Sequence, residues 1–339
     1  MRGNTEAASN QKQKQKQKQS KAQFLEIADI IIPWLTPSEV STISSTCTTL
    51  SHLSKHTTAV RSSDASRSFE AHPIPFINTL DQHPYAFFLY TPTCLIPPLP
   101  FSRQFWGFSF TNNPNPIPHS HFTDFGGLGC HCLDNCRIGT DCHCCVLGFD
   151  GDADVVTECG PNCRCSSTCG NRVTQSGVTL KLNIVRVPNK GWGLFANQFI
   201  SSAQFVCEYA GELLTTQEAR RRQKLYDERA KSGHFCSALL VVREYLPSRK
   251  ACFRINIDAT NIGNVARFIN HSCDGGNLTT VLVRSSGNVI PRVCFFTCRD
   301  VQEGEELSFR YGDVRVRPQG LPCTCGSSNC YGILPSEHT

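Results

Sequence analysis

Cysteine carries the densest chemistry in this sequence. Of 21 cysteines, ten lie between Cys130 and Cys169, and three more between Cys323 and Cys330. Many stand one residue apart: Cys130 and Cys132, Cys142 and Cys144, Cys163 and Cys165, Cys323 and Cys325. Two such neighbours can scarcely bridge each other, because a disulfide needs facing Cβ vectors. The polar start, Met1-Arg2-Gly3-Asn4, lacks an apolar secretory segment, so the thiols are expected to stay reduced. Clustered thiolates at this spacing suit zinc. A disulfide scaffold is the competing reading.

A second set of residues lies further along. Ala266-Arg267-Phe268-Ile269 leads into Asn270-His271-Ser272-Cys273, and Glu305-Glu306-Leu307-Ser308-Phe309-Arg310-Tyr311-Gly312-Asp313 follows some forty residues later. A buried amide and imidazole must find polar partners, which a ligand can supply; a capped turn is the plainer account. Upstream, Lys190-Gly191-Trp192-Gly193-Leu194-Phe195 carries glycines that let backbone approach a ligand closely. A tight turn would need the same residues.

The pair Asn-His-Ser-Cys and Phe-x-Tyr-Gly-Asp resembles the signature of SET-domain protein lysine methyltransferases. The flanking cysteine blocks narrow the resemblance to the suppressor-of-variegation related class, over residues 130–331. It implies a mainly β fold with short helices and a knot-like core, in which a C-terminal segment passes under the loop holding Asn270 and His271. Threaded chains are rare, so that topology comes from the resemblance alone. Zinc modules before and after the SET domain are implied too.

The resemblance implies S-adenosylmethionine as cofactor, bound by Lys190, Gly191, Trp192, Asn270, His271 and Tyr311, with adenine partnering the Asn-His pair. It makes Tyr311 the main catalytic residue, Tyr209 a supporting channel residue and Phe309 the residue that tunes the product. For Tyr311 the plain alternative is a structural tyrosine closing a strand, and for Tyr209 core packing. Nine cysteines match the first block: Cys130, Cys132, Cys136, Cys142, Cys144, Cys159, Cys163, Cys165 and Cys169. Three tetrahedral zinc ions need twelve ligand positions, which six terminal and three bridging thiolates supply. Cys145 is then surplus, though it could replace Cys144. Cys323, Cys325 and Cys330 lack a fourth ligand, and Cys273 is the obvious one. Two features depart from the family: Ser237-Ala238-Leu239 offers no tyrosine, and Arg310 replaces a small or acidic residue.

The implied reaction is an in-line displacement by a lysine amine. The amine must arrive neutral although its ordinary pKa is about 10.4, and a partly dry channel lowers that value. The remaining work is alignment. A phenylalanine at 309 leaves space where a tyrosine would crowd the amine, so more than one methyl addition is expected. The expected substrate is histone H3, at lysine 9, in nuclear chromatin.

The elements that must position these residues read as follows. Residues 1–21 repeat Gln-Lys and are expected to be a disordered basic tail. Residues 22–60 are expected to be helical: Phe24, Ile27, Ile30 and Ile31 follow helical spacing, Pro33 ends or kinks the first helix, and Thr36-Pro37 starts a second, with Val40, Ile43, Cys47, Leu50 and Leu53 continuing an apolar face. Their order resembles an F-box, a unit that docks on a ubiquitin-ligase adaptor, here through residues 24–55; a plain packing unit fits as well. Residues 61–125 are Pro- and aromatic-rich and irregular, but Phe101, Phe105, Trp106, Phe108 and Phe110 require part of that stretch to pack. The pre-SET module is expected over 126–178, with a loop at 146–158, the SET domain over 179–313 and the post-SET module over 319–335. Strands are expected at 182–187, 204–211, 237–245, 254–258, 279–284, 293–297 and 307–311, and a capping box at Thr215 and Glu218.

Composition narrows the function. No run of 18 apolar residues occurs, so no membrane span is expected. Residues 1–21 hold six basic residues against Glu6, which accounts for the whole net charge of +5. The remainder is formally balanced and turns acidic once thiolates bind zinc, which favours a Lys/Arg-rich histone tail over DNA phosphates. Besides the enzyme, two classes stay open: a chromatin-binding adaptor that only reads lysine tails, and a zinc-stabilised nucleic-acid binder.

Overall fold

A computed structural model describes residues 23–96, 129–136, 142, 144, 155–230, 237–245, 251–312 and 322–335. The basic tail 1–21, Phe101, Phe105, Trp106, Phe108, Phe110, Cys145 and Asp313 lie outside the described residues. The chain divides into two compact units, Met1–Ser63 and Asp64–Thr339. No helix among the described residues is long and apolar enough to cross a membrane.

The first unit is helical. Residues 23–31 form α1, followed by a 3-10 turn at Ile32–Trp34 containing Pro33, then α2 at Pro37–Ser44 and α3 at Thr48–Ser63. Thr36 caps α2: its hydroxyl accepts from the Glu39 amide at 3.4 Å, and the Glu39 carboxylate accepts from the Thr36 amide at 2.7 Å. The buried stripe differs from the expected one. Ala28 and Ile32 face Val40 and Leu50, whereas Phe24, Ile27, Ile30, Ile31 and Cys47 are exposed. Helices α2 and α3 cover a single stripe of α1, the one that carries the small Ala28. Arg61 crosses this unit to donate to the Pro33 and Leu35 carbonyls at 2.8 and 2.7 Å.

The second unit is built of small twisted sheets. Strand β1 (Phe76–Ile77) pairs parallel with β4 (Leu182–Val187), which pairs antiparallel with β5 (Gly191–Ala196). Strand β2 (Leu89–Tyr90) pairs parallel with β9 (Cys252–Gly263), which also carries β7 (Gly211–Leu214) and β8 (Leu239–Tyr245). A third sheet has the order β3 (Val155–Glu158), β11 (Leu278–Ser285), β12 (Arg292–Thr297), β6 (Phe205–Glu208). Strand β10 (Asn270–His271) pairs parallel with β13 (Ser308–Phe309). One helix, α4 (Thr216–Ala230), lies between β7 and β8 in the chain.

Several sequence expectations change here. The expected strand 204–211 is two strands, because the chain leaves one sheet at Glu208 and enters another at Gly211. The expected loop 146–158 ends in β3, whose Val155 and Val156 add a parallel edge to β11. Only half of the second capping box forms: Thr215 accepts from the Glu218 amide at 3.2 Å, while the Glu218 carboxylate binds Arg221 and Arg222. The stretch 64–96 is mostly irregular but supplies Phe76, Phe88 and Tyr90 to the core. Phe76 meets Trp192 and Phe268 edge-on at 5.2 and 5.7 Å, and Phe88 meets Phe268 at 5.6 Å. Those rings brace the segment leading to Asn270.

Candidate active site

The site forms where two distant segments cross. Residues 306–311 run between β10 on one side and the 274–277 turn on the other, both parts of one continuous loop. Asn270 pairs with Ser308 and His271 with Phe309, while Gly276 bridges Phe309 from the other side. Gly276 has φ of +74°, and a Cβ there would meet the Ser308 carbonyl oxygen at 2.3 Å, so only glycine lets the turn close. Asn277, almost fully buried, clamps the passing strand. It accepts from the Ser308 amide at 3.0 Å and donates to the Glu306 carbonyl at 2.9 Å.

This crossing fixes Tyr311. Its hydroxyl donates to the Ile269 carbonyl at 2.8 Å, and its amide donates to His271 Nδ1 at 3.2 Å. The second bond needs a bare Nδ1, so the His271 proton sits on Nε2, 3.3 Å from Cys273 Sγ. Burial, helped by the Arg310 guanidinium, holds the imidazole below its ordinary pKa. From Tyr311 a row of rings leads inward: Phe309 at 4.9 Å, Phe295 a further 4.6 Å, then Tyr209 at 6.3 Å. The Tyr209 hydroxyl donates to the Ala238 carbonyl at 2.7 Å. Burial pushes its pKa well above the ordinary tyrosine value.

The Lys190–Trp192 turn reaches the same crossing. Lys190 Nζ lies 2.7 Å from Glu306 Oε2, and Asn270 Nδ2 donates to Glu306 Oε1 at 2.8 Å and to the Trp192 carbonyl at 3.2 Å. A Cβ on Gly193 would sit 2.9 Å from Glu306 Oε1 and 3.1 Å from Asn270 Nδ2. The backbone thus comes close to these side chains at a cradle that suits a polar ligand. Glu306 and Asn277 escaped the sequence reading. Glu306 lies in the Glu305–Asp313 stretch, where a Glu-Glu pair before a strand looks like a solvated edge.

The cysteines gather in two places. Cys130, Cys132, Cys136, Cys142, Cys144, Cys159, Cys163 and Cys165 fall into three overlapping sets of four, each with its sulfurs within 4.8 Å of one another. All three sets share Cys130, and Cys136 and Cys159 each belong to two. Cys169 completes the group, its sulfur accepting from the Cys136 amide at 3.2 Å. Such sharing is what bridging thiolates require. Tetrahedral zinc with Zn–S bonds of about 2.3 Å puts ligand sulfurs about 3.8 Å apart. Separations of 3.5 Å for Cys130–Cys136 and 3.6 Å for both Cys144–Cys163 and Cys136–Cys159 fit that donor set. Surplus negative charge would be met by the amides of Gly160 and Cys130 on Cys163, and by Arg172 near Cys165. The second group is Cys273, Cys323, Cys325 and Cys330, with Cys273 and Cys323 sulfurs 3.7 Å apart. Thr324, between two of these cysteines, donates to the Asn189 carbonyl at 3.4 Å. The second group therefore abuts the Lys190 turn.

The two departures noted in the sequence have these surroundings. In the stretch 237–239, which lacks a tyrosine, the Ala238 backbone carbonyl accepts from the Tyr209 hydroxyl. Arg310 points out from β13, its guanidinium 3.5 Å from the Tyr331 hydroxyl just beyond Cys330.

Comparison with known proteins agrees with this architecture. Residues 191–312 match the SET domain family model. The chain is 52% identical over 328 residues to histone-lysine N-methyltransferase SUVR3 of Arabidopsis thaliana, covering 94% of this chain and 93% of that one. It is 30% identical over 287 residues to histone-lysine N-methyltransferase, H3 lysine-9 specific SUVH1 of Nicotiana tabacum, covering 80% of this chain and 37% of that one. Among solved structures it resembles KRYPTONITE in complex with mCHH DNA, H3(1-15) peptide and SAH, with TM-score 0.59 and 27% identity, covering 80% of this chain and 53% of that one. With a mainly β fold, a SET core and cysteine clusters on either side of it, the chain belongs to the SET-domain histone-lysine N-methyltransferases of the suppressor-of-variegation related class.

Proposed function

We propose that this chain methylates lysine 9 of the histone H3 tail in nuclear chromatin, with S-adenosylmethionine as donor and Tyr311 aligning the lysine amine. The observation that carries the reading is the bond from the Tyr311 hydroxyl to the Ile269 carbonyl at 2.8 Å. It commits the phenolic proton, so toward the substrate the oxygen can act only as an acceptor. An accepting oxygen suits both an amine N–H and a methyl group bearing partial positive charge. When bound, S-adenosylmethionine supplies that methyl on a sulfonium. Lys190, Gly191, Trp192, Asn270 and His271, with the Tyr311 backbone, would hold it.

The chain's own residues then do three things. The rings of Phe295, Phe309 and Tyr311 make a channel wall that strips water from the lysine and lowers its pKa. The oxygens of Tyr311 and Tyr209, each with its proton held by a carbonyl, turn the amine lone pair toward the methyl. Tyr209 stays protonated because burial raises its pKa, so it orients the amine without deprotonating it. The ammonium proton leaves to water before transfer.

In this reading nine of the ten cysteines of residues 126–178, all but Cys145, hold three zinc ions, and Cys273, Cys323, Cys325 and Cys330 hold a fourth. These ions have structural roles, and the SET domain over 179–313 does the chemistry. The name of the tobacco relative and the H3 peptide bound to KRYPTONITE support the choice of substrate. The test is transfer of labelled methyl to an H3(1-15) peptide and to the same peptide with lysine 9 replaced by arginine. Labelling confined to the first peptide is expected. Equal labelling of both would reject lysine 9, and labelling of neither, with other histones accepted, would reject the tail.

A further inference from the structure

Glu306 is none of the expected catalytic, cofactor or metal residues, yet its carboxylate joins two of the cofactor residues. One oxygen takes the Lys190 ammonium at 2.7 Å and the other takes the Asn270 amide at 2.8 Å. The Lys190 and Glu306 side chains are only 18% and 19% exposed, so water screens the contact weakly. The backbone holds Glu306 in place on both sides: it bridges Phe195, and the next residue, Leu307, donates to the Leu194 carbonyl at 2.8 Å. The carboxylate therefore sits at a fixed point beneath the Lys190 turn.

The consequence falls on Asn270. An asparagine amide has one accepting end and one donating end of nearly equal shape. Here Nδ2 faces two acceptors, Glu306 Oε1 at 2.8 Å and the Trp192 carbonyl at 3.2 Å. A flipped amide would set its oxygen against both of them, losing two hydrogen bonds and adding repulsion from a carboxylate. Only one orientation is therefore tolerated, and it turns Oδ1 away from Glu306 as the acceptor the side chain still offers. An accepting oxygen binds a cation and repels an anion.

We infer that Glu306 is a positioning residue: it locks the Asn270 amide so that Oδ1 receives the ammonium group of the cofactor's amino-acid moiety, which leaves the adenine expected at the Asn-His pair to His271. The inference rests on the proposed reading of Asn270 as a cofactor ligand. Lys190 neutralises Glu306, so the lock does not itself repel the cofactor's carboxylate. Gly193 belongs to the same device, because a side chain there would push Glu306 and Asn270 apart.

The test uses the full zinc-loaded chain and calorimetric titration with two probes, S-adenosylhomocysteine and its analogue lacking the α-amino group. The parent should prefer the aminated probe. Glu306→Gln has the same size but offers Asn270 an amide that can present either end. It should bind S-adenosylhomocysteine about 10- to 100-fold more weakly, the range for a lost hydrogen bond to a charged group. Its affinity for the deaminated probe should stay at the parental value, so the preference for the ammonium disappears. General loosening of the fold would weaken both probes together. Gly193→Ala leaves every charge in place and should lose the same preference, which decides the matter if Glu306→Gln does not fold. Retention of the preference in the folded variants overturns the inference. Asn270→Ala, titrated alongside, separates the two levels. If it loses the preference while Glu306→Gln keeps it, only the positioning role falls. If it binds both probes like the parent, Asn270 is no cofactor ligand, and both readings fall.

Discussion

The Tyr311 hydroxyl donates to the carbonyl of Ile269, 2.8 Å away and 42 residues earlier in the chain. The Tyr311 amide simultaneously binds the His271 ring at 3.2 Å. A residue from the passing segment is thus clasped at both ends by residues 269–271 of the loop it passes. The contact that closes the crossing also orients the oxygen proposed to align the amine, so in that reading topology and chemistry share one hydrogen bond.

Tyr311→Phe should separate those two roles. The Ile269 carbonyl loses its partner, at a stability cost of about 1 kcal/mol, while the ring contacts to Phe309 and His271 persist. Turnover should fall at least roughly 100-fold, the scale for a positioned group that manages proton geometry. S-adenosylhomocysteine affinity should hardly change, because the residue's amide still binds His271. Single-turnover methyl transfer beside a calorimetric titration checks both halves. A variant as fast as the parent would remove the hydroxyl from the mechanism.

The sequence made the contiguous parts of this site legible. Asn270 and His271 are adjacent, Phe309 and Tyr311 nearly so, and the cysteines announce themselves by spacing. What stayed hidden was held by long-range contact. Glu306 matters because Lys190 lies 116 residues away, and Asn277 because Ser308 lies 31 residues away. A single sequence records no such partners. The same limit explains the strand break between Glu208 and Gly211, where the apolar pattern continues but the chain changes sheets. It also explains the first helix, where helical spacing offered Phe24 and Ile27, and packing chose Ala28 and Ile32. Periodicity names candidate faces, and the neighbour decides among them.

Phe309→Tyr tests the channel wall. The Phe309 ring is buried, 4.6 Å from Phe295 and 4.9 Å from Tyr311. A hydroxyl added there must find a partner, and it meets that need by holding water or the amine itself. Both outcomes narrow the space for a methylated amine, so the product should shift toward monomethyl lysine. Mass spectrometry of the H3 peptide over time reads the ladder. An unchanged ladder would mean that Phe309 does not set the methyl number.

Cys273→Ser tests the second cysteine group. Cys273 joins the loop carrying Asn270 to Cys323, Cys325 and Cys330, and a hydroxyl is a poor substitute for a thiolate on zinc. One zinc ion per chain should be released, with the first cluster intact. The 322–335 segment then loses its anchor beside the Lys190 turn, so methyl transfer should fall along with metal content. Elemental analysis and activity are measured on the same sample. Full activity with one ion missing would make this zinc dispensable for catalysis.

The last prediction concerns Glu208, which ends β6 just before Tyr209. It is buried, and so are the groups around it: Arg292, Cys94, Cys294 and Glu158. Arg292 is the one cation of this set, and it favours Glu158, at 2.9 Å, over Glu208, at 3.7 Å. Glu208 Oε1 has no hydrogen-bond partner among the described residues. Burial therefore outweighs the pull of Arg292, and the Glu208 pKa is pushed up to about 7 from an ordinary 4.5. Below the lower value the carboxyl is protonated in both folded and unfolded chains. Between the two values the unfolded chain has released its proton while the folded chain keeps it. Stability from this group must then fall as pH rises from about 4.5 to about 7, and level off above. At 1.36 kcal/mol per pKa unit the full fall is on the order of 3 kcal/mol. Glu208→Gln mimics the protonated form at every pH, so it should remove this slope. Denaturant unfolding of both proteins at about pH 5 and about pH 8 reads the difference, and zinc loss at the acid end cancels because the two share their metal sites. The variant should gain on the parent as pH rises; a constant gap would show that Glu208 titrates like an exposed carboxylate.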